Sequence, residues 1–344
     1  MARFIVSKSK VIEAYNRFRQ LGLNVSYSQK TNQVVADILE QKTDCHFSVH
    51  SFKSLEKIKT KWRVWYFAQA WNDAELDELS IQGVNCFVVD NLNDLDVLMN
   101  YLEKNPNKIN LLLRMKLKEN TVFTGKYFVF GMDTKTVNSK ILELRQNQSI
   151  LHLGIHFHRK TQNVSEWDLK EELIDALKPE AFDAIDMINI GGGIPSKYRS
   201  SSDKAIDVIY EKIKDLASWL KTKGIEVIAE PGRAIAAPSV MLEADVLNVY
   251  DNNIIIDCSI YNGALDTVIA NVKLIVEGEL EKGTPQQNYT IKGCTPASED
   301  ILRYSVFLEN APKPGDKIRF LNAGAYTYTT DFCDLDKIGT VIVE

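Results

Sequence analysis

Apolar residues fall in short runs along the chain, separated by segments with helical spacing. VWYFAQ (64–69), NCFVVD (85–90), INLLLRMK (109–116), ILHLGIHFH (150–158), MINIGGG (187–193) and IEVIAEPG (225–232) predict buried strands. DAELDELSIQG (73–83), DLDVLMNYLEKN (94–105), LKEELIDALK (169–178) and a long segment over 203–224 predict amphipathic helices, the last stopped by Lys-Gly. Strand and helix alternate through residues 20–235, which argues for a parallel sheet covered by helices. That many repeats in that length suits a (β/α)8 barrel better than an open doubly wound sheet.

After residue 236 the pattern changes. Segments 246–259, 268–279, 287–293, 316–324 and 338–344 are strand-like, and NN, GTPQQ and KPGD supply turns between them. The expectation is a barrel over residues 1–235 followed by a β-rich domain over 236–344, joined near EPGRAIAAPS.

Composition is that of a globular protein: 344 residues, 45% hydrophobic and 25% charged. A net charge of −5 with interspersed signs argues against a nucleic-acid surface. No apolar run is long enough to span a membrane, and the start lacks an apolar signal core, so a cytoplasmic protein is expected. The cysteines, Cys45, Cys86, Cys258, Cys294 and Cys333, are odd in number and dispersed, so neither a disulfide framework nor a metal site is expected.

Chemistry enters at the strand ends. Three glycines, Gly191, Gly192 and Gly193, close MINIGGG, where backbone amides can cradle a phosphate. Other strand ends carry Lys30, Arg114, His158, and Glu230 with Arg233. A lysine, a histidine, a carboxylate and a glycine nest on one barrel face suggest pyridoxal 5′-phosphate (PLP) held through a lysine. Arg114 reads equally as an ion-pair partner. His46, His50, His152 and His156 read as packing residues.

The chain resembles the fold-type III PLP-dependent decarboxylases, the alanine-racemase-like group that acts on ornithine, arginine, diaminopimelate and carboxynorspermidine. VSYSQKTN looks like the family strand ending in Lys-x-Asn, HFSVHS like the next strand, ending at Ser51, and GIHFHRKTQ like Gly-x-x-x-His-x-Gly-Ser-Gln. NIGGGIP, EPGR and NAGAYT match the phosphate glycines, the Glu-x-x-Arg element and Ala-Gly-Ala-Tyr. The resemblance implies Lys30 as the Schiff-base lysine, His158 over the cofactor ring and Glu230 at the pyridine nitrogen. It places Gly191, Gly192, Gly193, Thr161, Arg233 and Tyr326 around the phosphate. It also implies a homodimer with shared active sites.

The loop GCTPASED departs from the family. Pro296 stands where the proton-donating cysteine is usual, and Ala297 where an acid follows. Cys294 or Cys333 could donate from a shifted position, as could water or Lys30. Glu299 and Asp300 are candidates for a substrate's distal amine. Segment 254–270 has no basic residue for a second carboxylate, and Cys258 takes the place of an acid found in some ornithine decarboxylases. The expected activity is decarboxylation of a basic L-amino acid, ornithine first, then arginine or lysine. A carboxynorspermidine-type enzyme and a non-catalytic homologue regulating polyamine metabolism are the alternatives. The β-rich domain argues against a PLP carrier, and Tyr261 is a poor second base for a racemase.

Overall fold

The computed structural model describes residues 1–117, 130–160, 162, 167–281, 287–326 and 328–344. After β1 (Arg3–Ser7) come eight strands that close into a parallel barrel: β2 (Asn24–Ser28), β3 (His46–Val49), β4 (Val64–Ala68), β5 (Cys86–Val89), β6 (Ile109–Arg114), β7 (Ile150–His156), β8 (Met187–Asn189) and β9 (Glu226–Ala229). Neighbours in sequence are neighbours in space, and β9 closes on β2 through Asn24↔Ile228 and Val25↔Ala229. The barrel expectation is met, and every predicted barrel strand lies inside its predicted segment.

Alternation along the strands sorts the two faces. Trp65, Cys86, Val88, Leu112, Met187 and Ile228 form one buried cluster, and Phe87, Val89, Leu111 and Leu113 join the larger core. Alternation assigns the first set to the barrel interior and the second to the face under the helices. The helices are held by local chemistry. Asn72 and Glu75 cap Asp73–Ile81 reciprocally. Asp203–Lys221 buries Ile206, Ile209, Tyr210, Ile213, Leu216 and Leu220, one face at helical spacing.

The second sheet contains β10 (Val240–Tyr250), β11 (Asn253–Ile256), β12 (Ile275–Val276), β13 (Gln287–Lys292), β14 (Ile301–Leu308), β15 (Lys317–Leu321) and β16 (Gly339–Val343). Its order is β12-β15-β10-β11-β13-β14, with β1 joining β10 and β16 joining β1. Here the structure differs from the expected division at residue 235, because β1 belongs to the sheet that the C-terminal half builds. Phe4 and Val6 are buried in it, and Arg3 pairs with Glu243. Segment 268–279 also differs. It yields only the two residues of β12, because Asp266–Ile269 is a helical turn whose Asp266 is tied to Arg233 at 2.9 Å. Strand β14 was not foreseen. Among the described residues, no helix is long and apolar enough to cross a membrane.

Candidate active site

A 510 Å³ cavity opens at the C-terminal ends of the barrel strands, where barrels of this kind carry their sites. Lys30, Arg114, His158, Gly192, Gly193, Glu230, Arg233 and Tyr326 all line it. They come from several strand ends: Lys30 sits in the single turn Gln29–Thr31 after β2, Arg114 ends β6, Gly192 and Gly193 follow β8, and Glu230 directly follows β9.

Glu230 is the most constrained group. It is buried, and its Oε1 accepts from Ser48 Oγ at 2.9 Å and from Asn189 Nδ2 at 2.9 Å. Ser48 Oγ is linked in turn to Ser26 Oγ at 2.8 Å. The other oxygen, Oε2, faces His156 Nε2 at 3.4 Å. Burial by itself would raise the Glu230 pKa, but the hydrogen bond with His156 and the surrounding imidazoles of His156, His158 and His50 together outweigh it, and the group is held down at about 2. Glu230 is thus an anion inside the protein. Lys30 opens to the same cavity. Burial against the barrel mouth lowers its pKa; Glu230 opposes that shift and Arg114 adds to it. A lysine with a depressed pKa holds more of its amine unprotonated and nucleophilic.

The glycines are explained by what surrounds them. Gly191 and Gly193 take φ of +67° and +85°, the left-handed region. A Cβ on Gly191 would lie 2.2 Å from the Phe157 carbonyl oxygen, and one on Gly193 2.5 Å from that of Lys160. Gly192 packs under His158: its amide donates to His158 Nδ1 at 3.2 Å, and a Cβ there would sit 3.1 Å from the ring. The bare backbone lets the strand ends of β7, β8 and β9 close on one another and keeps the cavity wall clear of side chains.

Arg114 donates to Asp90 Oδ1 at 3.1 Å, so the ion-pair reading of that residue describes its contact, although it still faces the cavity. Arg233 is buried with Tyr198 (2.8 Å) and Asp266 around its guanidinium. Ser51 caps the short helix Phe52–Leu55. Thr161 lies outside the described residues.

Cys258, Cys294, Glu299, Asp300 and Cys333 are not among the cavity-lining residues. Cys258 is fully buried, and burial pushes its thiol well up. Cys294, Glu299 and Cys333 are exposed. Asp300 makes structural contacts. It is buried, and its oxygens accept from Ile260 N (2.7 Å), Thr295 N (3.0 Å) and Thr295 Oγ1 (2.7 Å), so its carboxylate folds the loop.

Sequence reasoning missed Ser48, Asn189 and His156. A signal existed for the last: in HFH the two histidines are two residues apart, so strand geometry puts both on one face. His156 is buried against the cavity carboxylate, which corrects its reading as simple packing.

Residues 8–237 match the pyridoxal-dependent decarboxylase, pyridoxal binding domain family, and the chain belongs to that family of PLP-dependent carboxy-lyases. Over 91% of its length it is 25% identical to a diaminopimelate decarboxylase of Bacillus methanolicus, covering 80% of that protein. It is 24% identical to an ornithine decarboxylase of Schizosaccharomyces pombe, over 73% of this chain and 60% of that one. Among solved structures, a lysine decarboxylase from Selenomonas ruminantium superposes with a TM-score of 0.81 at 21% identity, covering all of this chain and 93% of the other. The cavity fits the family cofactor: a lysine opens into it, an anionic carboxylate is fixed in its wall, and Gly192 and Gly193 line it with bare backbone, whereas Gly191 packs behind them against the Phe157 carbonyl.

Proposed function

We propose that this protein removes the α-carboxylate of a basic L-amino acid, ornithine first, then arginine or lysine, as a cytoplasmic homodimer with shared active sites. The observation that carries the reading is Glu230, a buried anion locked by Ser48 and Asn189 in the cavity that Lys30 also lines. When bound, PLP supplies the electron sink that accepts the pair left behind as CO2 departs. Lys30 would hold the cofactor covalently until a substrate amine replaces it. Glu230 would keep a proton on the pyridine nitrogen, because a fixed anion favours the cationic ring. His158, held by the Gly192 amide, would pack on the ring and set its tilt. The amides of the glycine turn, with Tyr326, Arg233 and Thr161, would position the phosphate.

In the loop over 293–300, Cys294 and Glu299 are exposed and do not line this chain's own cavity. In the dimer we propose, they reach the partner's site. There Glu299 meets the distal amine, and Cys294, with Cys333 as the alternative, returns a proton to Cα. A carboxynorspermidine-type substrate is the second reading, favoured by Ala297, which leaves no acid at its position in that loop. The test is release of CO2 and amine by PLP-loaded protein offered ornithine, lysine, arginine, diaminopimelate and carboxynorspermidine in parallel. Ornithine should turn over fastest. Silence on all five with cofactor bound would overturn the reading.

A further inference from the structure

Glu230 has two oxygens, and the structure treats them differently. Oε1 accepts from both Ser48 and Asn189, whereas Oε2 meets one protein donor among the described residues, His156 Nε2 at 3.4 Å. His156 ends β7, in register with Asn189 of β8, and its ring stands edge-on to Phe67 with centroids 5.1 Å apart. That imidazole is almost completely buried, and its Nδ1 has no hydrogen-bond partner among the described residues.

Those facts select one form of the ring. A proton on Nδ1 alone would leave a buried N–H unpaired and turn the Nε2 lone pair toward a carboxylate oxygen. A doubly protonated ring would likewise strand a buried N–H on Nδ1. The neutral ring with its proton on Nε2 avoids both penalties: it donates to Oε2 and leaves only a lone pair unmatched. Lys30, His50, Arg114, Asp90 and His158 share the cavity from neighbouring strand ends, yet none of them hydrogen-bonds Glu230 among the described contacts.

We infer that His156 is a positioning residue of this site: as a neutral imidazole protonated on Nε2, it donates to Glu230 and keeps that carboxylate an oriented anion available to the cofactor. The inference rests on the PLP reading for its consequence in catalysis, but not for the imidazole form itself. His156 acts through Glu230, so its loss should lower kcat and leave KM for the amino acid unchanged.

Two measurements separate the claims. In cofactor-free protein labelled with 15N-histidine at neutral pH, the His156 ring nitrogens should show the neutral pattern with the proton on Nε2. A ring protonated on Nδ1, alone or together with Nε2, would overturn the inference whatever the protein's activity. In the loaded enzyme, His156→Leu should lower kcat about 10- to 100-fold, the size of one lost charge-assisted hydrogen bond. It should also move the acid limb of the pH–kcat profile, and His156→Gln, which keeps an N–H donor, should restore most of both. A Leu variant with wild-type kcat and pH profile would overturn it too. If the wild type binds PLP and turns over none of the five amino acids, the functional reading fails while the labelled-ring measurement still decides the imidazole form.

Discussion

At the scale of single residues, the site is built from groups whose neighbours leave them few alternatives. Lys30→Ala should abolish the visible absorbance of cofactor held through a lysine; a spectrum unchanged from wild type would remove Lys30 from that role. Gly192→Ala tests the cradle. Its methyl would lie 2.9 Å from the Glu230 carbonyl oxygen and 3.1 Å from the His158 ring, so that strand end and ring must shift. PLP affinity, read by equilibrium titration, should fall about tenfold or more, with the fold intact by circular dichroism. The glycines, Lys30 and Glu230 were legible because each sits in a local pattern, a residue type at the end of an apolar run. Ser48 and Asn189 carry no such signature. Their importance comes from meeting one carboxylate from two other strands, which only closure of the barrel brings about.

At the scale of elements, the loop over 293–300 is held by one buried acid. Asp300 receives three hydrogen bonds from two segments. Asp300→Ala should therefore destabilise the protein by about 2–4 kcal/mol, measured as a lower urea midpoint, while Glu299→Ala, at an exposed position, should stay within about 0.5 kcal/mol. If Asp300 instead served only a substrate, its loss would raise KM with no change in midpoint. Strand β1 makes a second case. It lies between β10 and β16 and buries Phe4 and Val6, so cutting away residues 1–7 should weaken the C-terminal sheet although they are remote from it in sequence. Five residues are too few to show a periodicity that distinguishes them from a barrel strand. Their partner is decided by which sheet has an unpaired edge when the chain folds.

At the scale of the whole molecule, the cavity at the barrel mouth sets the response to acid. Burial chiefly, with the cations around them, lowers His50 to about 4 and His158 to about 3 from the ordinary 6.5. As pH falls below about 6.5, the unfolded chain takes up these protons and the folded protein does not, so stability drops. Glu230, held at about 2 against an ordinary 4.5, adds a further loss as pH falls from about 4.5 toward 2. Urea midpoints should therefore decline from pH 7 to 5 and more steeply below; both histidines face the open cavity, which moderates the first stage. A flat profile between pH 7 and 5 would refute this assignment. The proposed shared site has its own test at this scale. Mixing Lys30→Ala protein with a loop variant carrying Cys294→Ala and Glu299→Ala should restore up to about a quarter of wild-type activity, because a two-fold heterodimer keeps one intact composite site.

The sequence by itself determined what is local: the alternation of short strands and amphipathic helices that requires a covered parallel sheet, and the glycine, lysine and carboxylate positions at strand ends. Period and turn chemistry act over a few residues, so they can be read one segment at a time. The tertiary structure alone decided what depends on closure. It assigned β1 to the far sheet, turned Asp300 inward, tied Arg114 to Asp90, and brought Ser48, Asn189 and His156 from three strands onto the two oxygens of Glu230. Apart from Asp300 with Thr295, five positions away, those contacts join residues 24 or more positions apart, and their free energy exists only once the barrel and the second sheet have formed.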